Sequence, residues 1–221
     1  MKLILALWGA DQPALLGPAL RLALREVGVF TLQVNLDDSE IPASALRLQT
    51  FAQPLSSVVS VWTEGSPDAV VSVLRPYAAT LAGWQVEERQ PLVPPPVPEG
   101  HRADAVAQVA FLRKPAELSY DDWRGHWQGP HTQIAIETQA SFGYVQNRVT
   151  AKLSVDTPDV DAIVEELFAP EAMSDIHAFY GSNGDQAELD RRLTELMASV
   201  AKMGADRDLD VVPTSRYTFS C

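Results

Sequence analysis

The sequence predicts an α+β protein built from two successive βαββαβ halves. Three observations carry this prediction. A proline-rich stretch sits near the middle, and the same order of strand and helix signals occurs on either side of it. In addition, 46% of the 221 residues are hydrophobic, enough for a core in each half.

The boundary is Pro91-Leu92-Val93-Pro94-Pro95-Pro96-Val97-Pro98-Glu99-Gly100, with five prolines between positions 91 and 98. Proline lacks the N–H that helices and ladders need, so this stretch predicts a stiff, extended connector. Residues 1–90 then form the first half, 91–102 the linker and 103–221 the second half.

In the first half, the apolar run Leu3 to Trp8 predicts a buried strand. Pro13 to Val27 predicts one helix, started by Asp11 or Gln12 and stopped by Gly28. Val29 to Asn35 predicts a strand, followed by a polar loop in which Asp37, Asp38 and Glu40 read as a solvated acidic cluster. Ser57 to Thr63 is rich in β-branched residues and predicts the third element of the sheet. Ser66 and Pro67 open a helix, by capping and by a proline in its first turn, that runs to about Ala79. Trp84 to Arg89 closes the half as a strand.

The second half repeats the order. Ala105 to Arg113 predicts a strand, and Ser119-Tyr120-Asp121-Asp122 caps a long helix reaching Thr138. Phe142 to Lys152 and Asp161 to Phe168 predict the next two strands. Pro170 to Tyr180 and Ala187 to Met203 are helical, separated by the breaker run Gly181-Ser182-Asn183-Gly184-Asp185. Val211 to Phe219 is the last strand. An antiparallel sheet with helices on one face is the layered solution for this order, which is the ferredoxin-like arrangement. Each sheet leaves its other face bare, and the two halves of one chain cover each other by making a closed or nearly closed barrel.

The totals exclude several functions. Net charge is −12, from 17 Lys and Arg against 29 Asp and Glu, which repels phosphate backbones and argues against a nucleic-acid partner. The only cysteine is Cys221, so no disulfide framework or thiolate metal site is expected within one chain. The N-terminal apolar run breaks at Gly9-Ala10-Asp11, too short for a membrane span and without the pattern of a signal peptide. A cytoplasmic location is the default expectation. The sequence contains none of the glycine-rich nucleotide cradles, no GxSxG and no HExxH. Glu165 and Glu166 sit on one strand and face opposite sides, so they do not form a paired-carboxylate site.

Chemistry concentrates in the second half. The four histidines are His101, His126, His131 and His177, and His101 follows the linker in an exposed setting. On a regular helix Trp123, Trp127, His131 and Ile134 share one face. His131 would then lie beside two indoles, where apolar surroundings disfavour the charged ring and leave a neutral imidazole able to accept a proton. Pro130 sits inside the same helix and cannot bond the carbonyl of His126, which predicts a kink or bulge at a cost of about 3 kcal/mol. His126 lies roughly 140° from His131 on an ideal helix, so the two meet only if the distortion turns them together. Indoles and imidazoles at helical spacing also suit an ordinary core.

At these residues the chain resembles the EthD family of the dimeric α+β barrel superfamily. The resemblance rests on Arg113-Lys114-Pro115-Ala116-Glu117-Leu118-Ser119 with Trp123, Trp127 and His131, then on Phe142-Gly143-Tyr144-Val145-Gln146-Asn147-Arg148, and more loosely on Asp161 to Phe168. Residues 1–90 carry no such signature. The resemblance implies a fused pair of ferredoxin-like units forming an intrachain dimeric α+β barrel, with a degenerate first half. It also implies a site between sheet and helices, and hydrophobic aromatic or polyketide-like substrates that undergo dehydration, cyclisation or cofactor-free oxygenation. The family histidine maps onto His131, and Arg113 is carried with the same run as a substrate contact.

These readings combine into an expected mechanism without metal or organic cofactor. His131, with His126 as a second candidate, would remove a proton next to a carbonyl. Tyr144 or Asn147 would hold the developing oxyanion, and Trp123 and Trp127 would wall the pocket. Tyr144 and Asn147 lie on opposite faces of a regular strand, which favours Tyr144 with Gln146 beside it. A second expectation is a small-molecule carrier, or a haem-binding module using His177 or His131 as axial ligand. A third is a catalytically silent partner of an oxidative degradation system. Association into a homodimer through sheet edges or helices stays open, and no membrane partner is expected.

Overall fold

The computed structural model describes residues 1–221. Eight antiparallel strands close into a barrel: β1 (Lys2–Ala10), β2 (Val29–Leu36), β3 (Ser57–Thr63), β4 (Ala78–Leu92), β5 (Val106–Leu112), β6 (Gly143–Lys152), β7 (Ala162–Phe168) and β8 (Asp210–Ser220). Their order around the barrel is β1-β3-β2-β8-β5-β7-β6-β4. The strands of residues 1–92 are contiguous in it, as are those of residues 106–220. Two seams, β2 with β8 and β4 with β6, join the two sets.

Helices pack on the outside. On the first set lie α1 (Gln12–Leu15), α2 (Pro18–Glu26) and α3 (Pro67–Leu74). On the second lie α4 (Tyr120–His126), α5 (Thr132–Thr138), α6 (Ile176–Tyr180) and α7 (Gln186–Lys202). The strands are therefore buried on both faces, which is why β1 reads as an unbroken apolar run. Leu3, Leu5 and Leu7 pack outward against Leu15, Leu20, Leu24, Val70 and Leu74. Ile4, Ala6 and Trp8 point into the barrel toward Trp84, Val109 and Phe111.

Part of the barrel interior is polar. Glu165 Oε1 accepts hydrogen bonds from Gln33 and Asn35, each at 2.9 Å, and lies 3.3 Å from Arg216. Asn35 also donates to Thr214 at 3.0 Å. These bonds cross the β2–β8 seam and leave the Glu165 carboxylate paired, as a buried charge requires.

Several expected elements differ in extent. The single helix over residues 13–27 is two, because Pro18 holds Gly17 extended (ψ 156°) and begins a new helix. Ser66 precedes α3 without a side-chain capping bond, and α3 ends at Leu74 in a 3₁₀ turn before β4 starts at Ala78. The strand β4 runs through Pro91, where pairing with β6 becomes irregular because proline has no N–H to give.

The loop between β2 and β3, expected to be merely polar, crosses onto the second set of strands. Ile41 and Ala45 pack on Val106 and Phe168, and Leu48 bridges to Val211. The backbone N–H groups of Thr50 and Phe51 donate to Asp210 Oδ1 at 2.6 and 2.8 Å. Asp37 pairs with Arg47 at 2.6 Å, and Asp38 accepts from Ser215 at 2.9 Å, so two of the three acidic residues are engaged rather than solvated.

Candidate active site

Between the second set of strands and its helices lies a cavity of about 440 Å³. The sheet supplies its floor with Gln108, Ala110, Tyr144, Val164 and Glu166, and Trp127, His131 and α7 supply its roof. Leu46 and Leu48 from the crossing loop line the mouth. The corresponding layer over the first set is filled by the fully buried Leu15, Leu20, Leu24, Val70 and Leu74.

His131 reaches the cavity because the helix is distorted. Gly129 leaves helical geometry (φ −99°, ψ −111°), and residues Trp127–His131 form a wide π turn ahead of α5. Such a turn frees carbonyl groups that need donors. Thr132 Oγ1 donates to Trp127 O at 2.9 Å, and Arg89 Nη1 donates to Gln128 O at 2.6 Å. Thr132 Oγ1 is itself held by Gln146 Nε2 at 2.9 Å. The bulge is thus braced from the sheet beneath it.

The distortion also brings both histidines to Ser199, a buried residue on α7. His131 Nδ1 lies 3.0 Å from Ser199 Oγ, and His126 Nε2 lies 3.1 Å from both Ser199 O and Oγ. The ring centroids are 6.3 Å apart. A carbonyl oxygen only accepts, so His126 Nε2 carries a hydrogen. The Ser199 hydroxyl both gives and takes, so two neutral forms of His131 are accessible. One presents an N–H at Nε2 and the other a lone pair, and the second form is a base.

Burial, with the positive charge of His126 as a smaller cause, pushes His131 down to about 4. The ring is therefore neutral at physiological pH. On the floor, burial pushes Glu166 up to about 7. Burial followed by the Glu166 charge raises the Tyr144 phenol above its ordinary value. Tyr144 Oη accepts from Gln146 Nε2 at 3.0 Å, and the phenol proton has no acceptor in the protein.

Of the residues expected to form the site, His131, Trp127 and Tyr144 line the cavity, and Gln146 supports Tyr144 and the bulge from below. His126 does not line it and connects only through Ser199. Trp123 is buried against Trp127, with ring centroids 5.3 Å apart, behind the cavity wall. Three expectations need correction in placement. Asn147 points into the barrel and donates to Ile163 O at 3.0 Å, as strand alternation requires. Arg113 pairs with Asp210 at 2.8 Å and stacks over Phe51, anchoring the crossing loop, and does not line the cavity. His177 lies outside the cavity, with Nδ1 2.6 Å from Ser182 Oγ.

Two residues escaped the sequence reading. Glu166 does face the cavity, and the signal was two charges in an otherwise apolar strand buried on both faces, one for each side. Ser199 was marked by a small polar residue on the apolar stripe that α7 forms with Leu189 and Leu196. No group of three or more His, Cys, Asp or Glu side chains is placed to hold a metal ion. No helix is long and apolar enough to cross a membrane.

No family model matches the chain, and no curated protein matches it. Among solved structures it is similar to an anthrone oxidase-like protein, with a TM-score of 0.57 and 12% identity over 99% of this chain and 92% of that one. A second similar structure is a protein from Lactobacillus acidophilus NCFM, named provisionally as a monooxygenase. Its TM-score is 0.49, at 11% identity over 99% of this chain and 95% of that one. The first likeness is one of fold and spans nearly the whole of both chains. The second is weaker still.

Proposed function

We propose that this chain acts on a hydrophobic aromatic or polyketide-like ketone or phenol by acid–base chemistry in the second-half cavity, without a metal or organic cofactor. The observation that carries the proposal is a neutral imidazole, braced by Ser199, lining a mostly apolar cavity that also holds a phenol with a free proton. His131 Nε2 removes a proton from the carbon next to the carbonyl. The electron pair moves to the carbonyl oxygen, and the Tyr144 O–H donates to the resulting enolate. Apolar walls exclude water and strengthen that bond. Proton abstraction of this kind is the common first step of dehydration, cyclisation and oxygenation.

The two sets of strands are, in this proposal, fused ferredoxin-like units of EthD type. Each set runs in the order fourth, first, third, second strand of its own segment, and the apolar filling over the first set fits a degenerate half. The name of the anthrone oxidase-like neighbour, which points to a polycyclic aromatic ketone, suits a cavity with these walls.

The test is deuterium uptake, followed by proton NMR, at the α-carbon of 1-tetralone or at C10 of anthrone, whose deprotonation likewise sends the electron pair through the rings to the carbonyl oxygen. The wild-type protein accelerates exchange, and His131→Ala lowers the rate at least ~100-fold. Retention within a few-fold in His131→Ala removes His131 as the base. Tight binding of these ketones with no exchange points instead to a carrier. A haem-binding alternative would have to use His131, since His177 lies off the cavity. Titration with haemin and the position of its absorption band decide that case.

A further inference from the structure

The cavity floor carries a polar row that the proposed chemistry does not use in full. Gln108 of β5 is the cross-strand partner of Glu166 of β7, and Glu166 is the partner of Tyr144 of β6. Residues paired in this way project from the same face with Cβ atoms roughly 5 Å apart. All three line the cavity. They form a line of amide, carboxyl and phenol across a floor whose neighbours are Ala110, Leu112 and Val164.

Glu166 is the member with a buried polar atom left without a partner. Its Oε1 is buried and makes no hydrogen bond, and neither carboxyl oxygen pairs with a cation. Glu165, the next residue, shows how the same barrel treats a carboxylate it needs for structure: two amide donors and an arginine surround it. An orphaned buried carboxyl oxygen is destabilising, and a donor from an occupant of the cavity would satisfy it.

We propose that Glu166 is the specificity-determining residue of the cavity, accepting a hydrogen bond from a hydroxyl group on the ligand. This rests on the cavity being the ligand site, as the proposed function has it. The ligand then presents a phenolic or enolic O–H to the sheet and its carbonyl edge to His131 and Tyr144. A hydroxyl fits better than an ammonium group. An ammonium brings three N–H donors and a full charge, whereas Glu166 is the only carboxyl on the floor and its neighbours in the row are neutral.

The test is binding, so it needs no turnover. The probes are 2-naphthol, its methyl ether 2-methoxynaphthalene, and 2-naphthylmethylamine, with Kd read by calorimetry. The wild-type protein is expected to prefer the naphthol over the ether by about ten-fold, the worth of one hydrogen bond to a buried carboxyl. Glu166→Leu reduces the preference to within two-fold while still binding the ether, which shows that the cavity has folded. Glu166→Gln, whose carbonyl still accepts, retains part of it. His131→Ala keeps the preference, so the assignment holds even if His131 proves not to be a base. The proposal is overturned by any of four results: no naphthol binding to the wild type, a full preference in Glu166→Leu, loss of the preference in His131→Ala alone, or tighter binding of the amine than of the naphthol.

Discussion

His131 and Glu166 face one cavity and are shifted by the same cause in opposite chemical senses. Burial holds the imidazole without its proton, down to about 4 from 6.5, and holds the carboxyl with its proton, up to about 7 from 4.5. The stabilities that follow have opposite signs. The His131 contribution is present above pH 6.5 and is lost as pH falls toward 4, because the unfolded chain binds that proton first. The Glu166 contribution is present below pH 4.5 and is lost as pH rises toward 7, because the unfolded chain releases its proton first. Each amounts to roughly 3 kcal/mol at about 1.4 kcal/mol per pKa unit, so the two offset each other between pH 4.5 and 6.5. Urea midpoints measured across pH 4–8 should therefore change little in the wild type on account of this pair. They should rise with pH through 4–6.5 in Glu166→Gln and fall through 4.5–7 in His131→Leu. If both variants follow the wild-type curve, the burial described for these groups is wrong. His131 was legible in the sequence because a helix repeats its face every three to four residues and the tryptophans mark that face. Glu166 was not, because strand alternation says only that Glu165 and Glu166 part company, and both faces of β7 are buried.

The distorted turn between α4 and α5 is an element held open by its surroundings. Pro130 made the distortion legible in the sequence, but nothing local to the helix shows that Thr132, Gln146 and Arg89 would supply the missing donors, since two of them come from strands. Thr132→Val removes a buried hydroxyl that both gives and takes a hydrogen bond, and should cost about 1–3 kcal/mol in chemical denaturation. Pro130→Ala should act the other way. A residue with an N–H allows the helix to close on the His126 carbonyl, so thermal stability is held or raised while deuterium exchange slows at least ~10-fold as His131 leaves Ser199. A Pro130→Ala protein with full activity would mean that the bulge does not position the imidazole. The split between α1 and α2 belongs to the same scale. Amphipathic spacing continues across Gly17-Pro18, and the backbone restriction that proline places on its predecessor interrupts it.

In the whole molecule, the order of elements and the closing of the strands into a barrel could be read from the repeated pattern and from faces left without cover. The crossing of the β2–β3 loop could not. Its anchors, Asp210 and Val211, lie about 160 positions further along the chain, and no local signal connects them. This loop gives the first-half segment a part in the cavity even though its own sheet–helix layer is filled. Arg113→Met should loosen the loop through Asp210 and Phe51. Its expected effect is faster ligand dissociation with little change in the exchange rate of bound ketone, read by stopped-flow binding and NMR. The seams have a different consequence, which concerns time. Asn35 and Thr214, 179 positions apart, meet across β2 and β8, and this pairing must wait until β8 has left the ribosome. Until then β2 keeps a bare edge, and the polar cluster around Glu165 lacks Arg216 and Thr214. Chains dominated by such distant contacts fold slowly and are open to strand-to-strand aggregation before they close. The interval before closure is thus the stage at which this chain is open to edge-to-edge association.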